Sequence, residues 1–290
     1  MTQHLFCFGL GYSAGVLAGR LKTQGWSISG TATSVSGAER LTAKGYRGYV
    51  FDAARAPSEI SAALQDATHI LLSIPPSAHS DPALAQFETA ITDSPRLTWI
   101  GYLSTVGVYG DAQGGWVDEE TPAQPASERG QRRLSAETQW LALGARCNTC
   151  VMVFRLPGIY GPGRSAIDDL KAGTARRIIK PGQVFNRIHV DDIATALEAA
   201  IARPHPGRVY NVTDDEPAPP QDVVSYGAKL LGLAPPPDLE FASGDLSPMA
   251  RSFYSESKRV KNTRLKNELG VRLAFPTYRE GLLGLTGHKT

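Results

Sequence analysis

The feature that most constrains this chain is the turn Gly9-Leu10-Gly11-Tyr12-Ser13-Ala14, set between the apolar run His4 to Phe8 and a helix-like stretch, Ser13 to Gln24. It reads G-x-G-x-x-A, and Gly15 follows. Two glycines permit a tight strand-to-helix turn and let the backbone approach a ligand. The helix behind them offers its leading amides and positive dipole end to an anion. A plain structural turn can also carry two glycines. The strand before this one and the helix after it are the context that a pyrophosphate cradle requires. Gly9, Leu10, Gly11, Tyr12, Ser13 and Ala14 are therefore candidate contacts to a dinucleotide.

The following residues repeat the alternation. Trp26 to Thr31, Tyr46 to Phe51, His69 to Ile74 and Leu97 to Leu103 read as strands, as do Cys150 to Arg155 and Arg208 to Val212. Helical stretches near 37–44, 58–65, 82–92, 127–143 and 190–202 separate them, and Pro75-Pro76 stops the fourth strand. Asp81 caps the helix that starts at Pro82. Strands alternating with helices predict an α/β fold, a Rossmann-type doubly wound parallel sheet. From Asp214 onward, Pro217, Pro219-Pro220 and Pro235-Pro236-Pro237 break the pattern, which suggests a small, irregular lobe. The expected division is a nucleotide-binding domain over 1–160 and 189–213, with a small C-terminal substrate lobe from 161–188 and 214–290.

The end of the second strand bears on the cofactor. An NAD site places an acidic residue ~20 residues beyond the glycines, where it binds the ribose 2′-hydroxyl. Here Thr31-Ala32-Thr33-Ser34 stands there, and no Asp or Glu precedes Glu39. Thr33 and Ser34 can donate to a 2′-phosphate, and Arg40 adds charge, so NADP is favoured over NAD. The alternative is that these hydroxyls merely cap the next helix. The overall balance points away from other partners. With 42% hydrophobic and 20% charged residues and a formal charge of +2, neither a nucleic acid nor a membrane surface is implied. No apolar run reaches the ~18 residues of a membrane span. Three cysteines and a start at Met1-Thr2-Gln3-His4 without a leader-like run suit a cytoplasmic protein. Cys147-Asn148-Thr149-Cys150 is a lone pair without the further ligands a zinc site needs, so no metal is expected.

Several segments, in order, resemble the NAD-dependent epimerase/dehydratase family, the extended short-chain dehydrogenases. They are Leu103-Ser104-Thr105-Val106-Gly107-Val108-Tyr109-Gly110, Arg155-Leu156-Pro157-Gly158-Ile159-Tyr160-Gly161-Pro162-Gly163, Arg187-Ile188-His189-Val190-Asp191-Asp192-Ile193-Ala194, and Tyr210-Asn211-Val212. Ser257-Lys258 with Glu268-Leu269-Gly270 is similar to the family's tail. The resemblance implies that Ser104 or Thr105 contacts the reacting oxygen and that Pro157, Gly158 and Ile159 lie beside the nicotinamide. It also implies that Asp52, Ser73, Ile74 and Pro75 line the adenine and ribose pockets. A small-molecule substrate is implied, commonly sugar- or nucleotide-linked, and a homodimer is the family's habit.

The family's Tyr-x-x-x-Lys centre is absent. Arg129 stands in the tyrosine's place and Arg133 in the lysine's. Arg133 can still hydrogen-bond the ribose, but a guanidinium is no general base. That departure resembles an atypical subgroup and leaves two classes of function open. One is an oxidoreductase, epimerase or dehydratase with a substitute acid/base, Tyr109 first and Tyr160 or His189 behind it. The other is a non-catalytic sensor of the cofactor. Each of those side chains also has a plain packing role open to it. Tyr254-Ser255-Glu256-Ser257-Lys258 is a literal Tyr-x-x-x-Lys, but it lies far along the chain from Ser104 and reads as a surface or substrate-lobe segment. Arg164, Arg176, Arg177, Arg187 and Arg251 would suit a phosphate or carboxylate if some of them converge, and surface solubility is the alternative for each.

Overall fold

The computed structural model describes residues 2–52, 57–78, 80–242, 246 and 248–287. Strand and helix alternate through β1 (His4–Phe8), α1 (Tyr12–Thr23), β2 (Ser27–Ala32), α2 (Val35–Ala43) and β3 (Arg47–Val50). They continue with α3 (Ser58–Gln65), β4 (His69–Leu72), α4 (Pro82–Thr92) and β5 (Trp99–Thr105). A 3₁₀ turn at Val106–Tyr109 and β6 (Trp116–Val117) lead to α5 (Glu128–Cys147), β7 (Cys150–Leu156) and β8 (Gly158–Tyr160). Next come α6 (Ala166–Lys171), β9 (Arg177–Ile179), β10 (Arg187–His189), α7 (Val190–Ala202) and β11 (Val209–Asn211). The chain closes with α8 (Pro220–Leu230), β12 (Asp238–Glu240), α9 (Pro248–Phe253), β13 (Arg259–Val260), α10 (Thr263–Leu269) and α11 (Tyr278–Leu285).

Seven strands form one sheet in the order β11-β7-β5-β4-β1-β2-β3. The pairs β1–β2, β1–β4, β2–β3 and β4–β5 are parallel. This is the α/β doubly wound architecture expected from the sequence. Every residue of β1 and of β4 is buried, as inner parallel strands covered on both faces require. The order reverses where β1 lies between β2 and β4. In an open sheet of this kind, ligands bind beyond the strand ends at such a switch point. Local chemistry sets the helix starts: Asp81 Oδ1 accepts from the amides of Ala83 and Leu84 at 3.1 Å each, and Pro82 opens α4.

The chain divides into two compact units. The first holds Met1–Thr105, Ser127–Arg155 and Ile193–Tyr210. Its core includes Phe6, Phe8, Ile60, Leu64, Phe87 and Trp140. The second holds Val106–Ala126, Leu156–Asp192 and Asn211–Thr290, around Tyr160, Ile167, Val223, Tyr278 and Leu282. Val106–Ala126, which the sequence division left with the nucleotide-binding part, joins this second unit through the tail. β6 pairs in parallel with β13, and Asp111 Oδ1 accepts from the Ser257 amide at 2.7 Å. The tail is more regular than its prolines suggest. Pro220 stands in the first turn of α8, where no amide is needed, and a Thr277–Glu280 capping box starts α11. Among the described residues, no helix is long and apolar enough to cross a membrane.

Candidate nucleotide-binding and active site

In the first unit, the glycine turn closes the end of β1. Gly9 has φ +82°, and a Cβ there would stand 2.7 Å from Ile74 Cγ2 and 3.4 Å from the Ile74 amide nitrogen. Only glycine lets the ends of β1 and β4 come this close. Thr31, buried on β2, pins the turn: its Oγ1 accepts from the Gly9 amide at 2.8 Å and its carbonyl from the Leu10 amide at 3.0 Å. Thr31 is a positioning residue that the glycine motif alone did not reveal. Gly11 precedes α1, and a Cβ on it would meet nothing within 4 Å. No side chain caps α1, and its first turn holds no acidic residue. Ser13 and Ala14 are buried behind the turn and Tyr12 is half-buried. An open approach over Gly11 to an uncapped helix start fits the pyrophosphate of a dinucleotide.

The other cofactor candidates of this unit line the same strand ends. Ser73 donates its amide to the Phe8 carbonyl at 2.9 Å, with Ile74 half-buried and Pro75 exposed beyond it. Asp52 is exposed after β3. At the end of β2, Ser34 caps α2, its hydroxyl accepting from the Gly37 amide at 3.2 Å, while Thr33 is exposed. Arg40 reaches back over this first turn: its Nη2 is 3.7 Å from where a Cβ on Gly37 would stand.

β5 carries Ser104 and Thr105 as neighbours, so the strand pleat sends their side chains to opposite faces. Ser104 is 5% exposed and donates its hydroxyl to Glu137 Oε1 on α5. Glu137 is in turn held by Arg155, whose Nη2 lies 2.7 Å from Oε2 and whose Nε lies 3.2 Å from Oε1. Glu137 and Arg155 are both buried. Thr105 is half-buried at the strand's end. Arg133, one helical turn before Glu137, donates through Nη1 to the Leu103 carbonyl (2.9 Å), the Tyr102 hydroxyl (3.2 Å) and the Ile74 carbonyl (3.3 Å). It thereby ties α5 to the ends of β4 and β5. Burial pushes the Tyr102 phenol up to about 12, against the pull of Arg133. Arg129 is exposed at the start of α5.

The remaining candidates belong to the second unit. Tyr109 is 4% exposed and donates its hydroxyl to Asn211 Oδ1 at 2.8 Å. The Asn211 side chain donates through Nδ2 to the Lys261 carbonyl at 3.2 Å, which orients that acceptor, and its backbone amide donates to Glu119 Oε1 at 2.8 Å. Tyr160 donates to the Thr277 carbonyl at 3.4 Å, and burial raises its phenol far above the usual range. His189 packs edge-on to Tyr160 and accepts from the Asp191 amide through Nδ1 at 3.2 Å. Pro157 and Ile159 are half-buried and Gly158 is exposed, on a β8 that pairs in parallel with β10. Of the set-aside motifs, Lys258 Nζ goes to Glu256 Oε2 at 2.6 Å and makes no Tyr254–Lys258 dyad. Cys147 and Cys150 are free thiols, and burial pushes Cys150 up to about 11. Among the described residues no cluster of His, Cys, Asp or Glu could hold a metal ion.

Residues 92–213 match the model of the NAD dependent epimerase/dehydratase family. Over 281 residues, 92% of the chain, it is 31% identical to protein YeeZ of Escherichia coli K12, covering 94% of that protein. The chain belongs to the NAD-dependent epimerase/dehydratase family. A solved member, a conserved protein of unknown function from Silicibacter pomeroyi, is 51% identical over 98% of both chains, with a TM-score of 0.89. The fold also recurs, at 18% identity and a TM-score of 0.79, in a dTDP-glucose 4,6-dehydratase from Bacillus anthracis solved with NAD, covering 98% of this chain and 95% of that one. Arginines stand at 129 and 133 on α5.

Proposed function

We propose that this protein is an NADP(H)-dependent oxidoreductase acting on a carbonyl or alcohol of a small-molecule substrate. A sugar- or nucleotide-linked compound is the substrate class that the family suggests. The observation that carries the reading is the switch-point turn, with Gly9 packed on Ile74 and open space over Gly11 before an uncapped helix. The preference for the 2′-phosphate rests on the end of β2: no carboxylate stands between Thr31 and Ala38, and Arg40 lies over the first turn of α2. A guanidinium there attracts a phosphate, whereas the missing acid leaves a ribose 2′-hydroxyl without its acceptor.

Bound NADP(H) would supply the hydride chemistry. The chain's own residues orient and stabilise. Thr105 is the side chain of the Ser104–Thr105 pair on the face away from Glu137, so its hydroxyl orients the substrate oxygen. Ser104 acts as a positioning residue, holding the end of β5 against α5. Arg133 supplies a fixed positive charge near the developing oxyanion and a donor to the ribose, but no proton. The proton comes from water, because Tyr109 and Tyr160 both donate to protein oxygens. That same commitment of Tyr109 and Ser104 favours the second reading, a cofactor-binding sensor without turnover.

Calorimetric titration with NADPH, NADP, NADH and NAD tests the site. The NADP pair is expected to bind the more tightly. Gly11→Asp should abolish binding while leaving the melting temperature unchanged, since a side chain at 11 meets nothing in the protein. If none of the four nucleotides binds at millimolar concentration, the reading fails. A substrate screen with wild type and Thr105→Val then separates enzyme from sensor.

A further inference from the structure

The second unit contains a group of polar edges that its own packing leaves unanswered. Arg187 opens β10 and is half-buried. Its Nη1 donates to the carbonyls of Phe185 (2.9 Å) and Ala218 (3.1 Å), and among the described residues Nε and Nη2 have no acceptor. Its electrostatic neighbours are Asp214, Tyr160, Tyr278 and Tyr254. Asp214 is 1% exposed: its backbone amide donates to the Arg187 carbonyl at 2.7 Å, yet its Oδ2 has no hydrogen-bond partner. Tyr254 is 6% exposed, and its hydroxyl likewise has no partner among the described residues. A buried polar atom left unpaired is costly, so the unanswered Asp214 Oδ2, in electrostatic reach of the Arg187 edge, marks a place suited to receive a polar group, with the Tyr254 hydroxyl close by in charge terms.

We propose that Arg187, with the Tyr254 hydroxyl, is the subsite that binds a carboxylate of the substrate against the rings of Phe185 and Tyr254. The inference rests on the oxidoreductase reading above and narrows its substrate. The free Nε–Nη2 edge of a guanidinium matches the two oxygens of one carboxylate. The walls are aromatic: Tyr254 meets Phe185 edge-on at 5.1 Å and stacks on Phe241 at 5.2 Å. Phe185 and Arg187 are two residues apart on an extended run, so they share a side. A flat, apolar-faced body therefore suits the place. A diphosphate suits it less well, because other cations of this unit already have acceptors. Lys180 donates to the Tyr254 carbonyl and to Gln183 Oε1, Lys258 pairs with Glu256, and Arg177 pairs with Asp238. Burial pushes the Asp214 carboxyl up to about 8, so near neutral pH it is mostly protonated and can donate to a single anion.

The test is calorimetric titration of the full chain with 4-hydroxycinnamate, 4-hydroxycinnamyl alcohol and UDP-glucose, with NADPH titrated into the same preparation. The acid is expected to bind at least about tenfold more tightly than the alcohol, and Arg187→Lys, which cannot form the bidentate pair, should weaken it by about tenfold or more. Tyr254→Phe should weaken the acid about threefold, the loss of one hydrogen bond. Asp214→Asn should leave acid binding within about twofold, since a neutral donor remains in place. The acid–alcohol comparison needs no variant, so it decides even if Arg187→Lys fails to fold. Equal binding of acid and alcohol, unchanged acid binding in a folded Arg187→Lys, or tighter binding of UDP-glucose than of the acid would each overturn the proposal. The NADPH titration reads the cofactor site separately, so failure there is told apart from failure here.

Discussion

Replacing Glu137 with alanine tests what holds the end of β5. The carboxylate is buried between Ser104 and Arg155, with side-chain exposures of 3% for Glu137 and 8% for Arg155 in their ion pair. Removing it takes from Arg155 the carboxylate that faces it and from Ser104 its acceptor. Breaking one side of a buried pair costs about 3–5 kcal/mol, and an orphaned hydroxyl adds about 1 kcal/mol or more, not strictly additively. A loss near 4 kcal/mol is a large part of the about 5–15 kcal/mol that a folded protein has in hand. With a urea slope of about 2 kcal/mol per molar, the midpoint of the transition should fall by about 2 M. Equilibrium unfolding followed by circular dichroism measures it. The triple change Ser104→Ala, Glu137→Leu, Arg155→Met should regain most of the loss, because it removes every polar group of the set together. If Glu137→Ala keeps the wild-type midpoint, the carboxylate is not the anchor of β5. Ser104 would then be as free as Thr105 to face a substrate.

Arg40→Ala should weaken NADPH about tenfold, or about 1.4 kcal/mol, with NADH unchanged in the same titration; equal losses for both would refute the 2′-phosphate reading. His69 is buried against Trp26 and Trp99, and burial lowers its imidazole from 6.5 to about 4. The folded state thus binds fewer protons than the unfolded chain between those values. The stability from this group is whole above about pH 6.5 and falls as pH drops towards 4, by up to about 3 kcal/mol. His69→Phe should flatten that slope in acid titrations of the melting temperature, and the smaller contribution of His4, lowered in the same direction, should remain. Gly48 on β3 lets the backbone of Ala38 lie directly against the strand, so a Cβ there strikes the Ala38 carbonyl. Gly48→Ala should cost about 2 kcal/mol or more in urea unfolding, where an ordinary exposed glycine would gain from the same change.

What the sequence made legible, and what it hid, follows from the range of the forces involved. β1, α3, α4 and α7 fall at the expected residues because apolar runs, Pro82 and the Asp81 cap act within a few positions of one another. The glycine turn was legible for the same reason. The second unit was not, since β6 and β13 are two residues each and exist only because segments more than a hundred positions apart pair. The Ser104–Thr105 pair shows the limit most sharply. Ser104 and Thr105 are chemically near-equivalent neighbours, and what separates them is Glu137, 33 residues away. One signal for it was present. Ala136, Trp140, Leu143 and Gly144 mark the buried stripe of α5, and Glu137 is the acidic residue on that stripe. An acid placed there must have a buried partner, and Arg155 on the next strand supplies it. The arginine at 133 follows the same logic. A lysine at that position would offer one rotatable ammonium, whereas the planar guanidinium holds two carbonyls and a phenol through Nη1 alone. Arg133 therefore ties α5 to the ends of β4 and β5, a role that suits the proposed site, in which the proton comes from water.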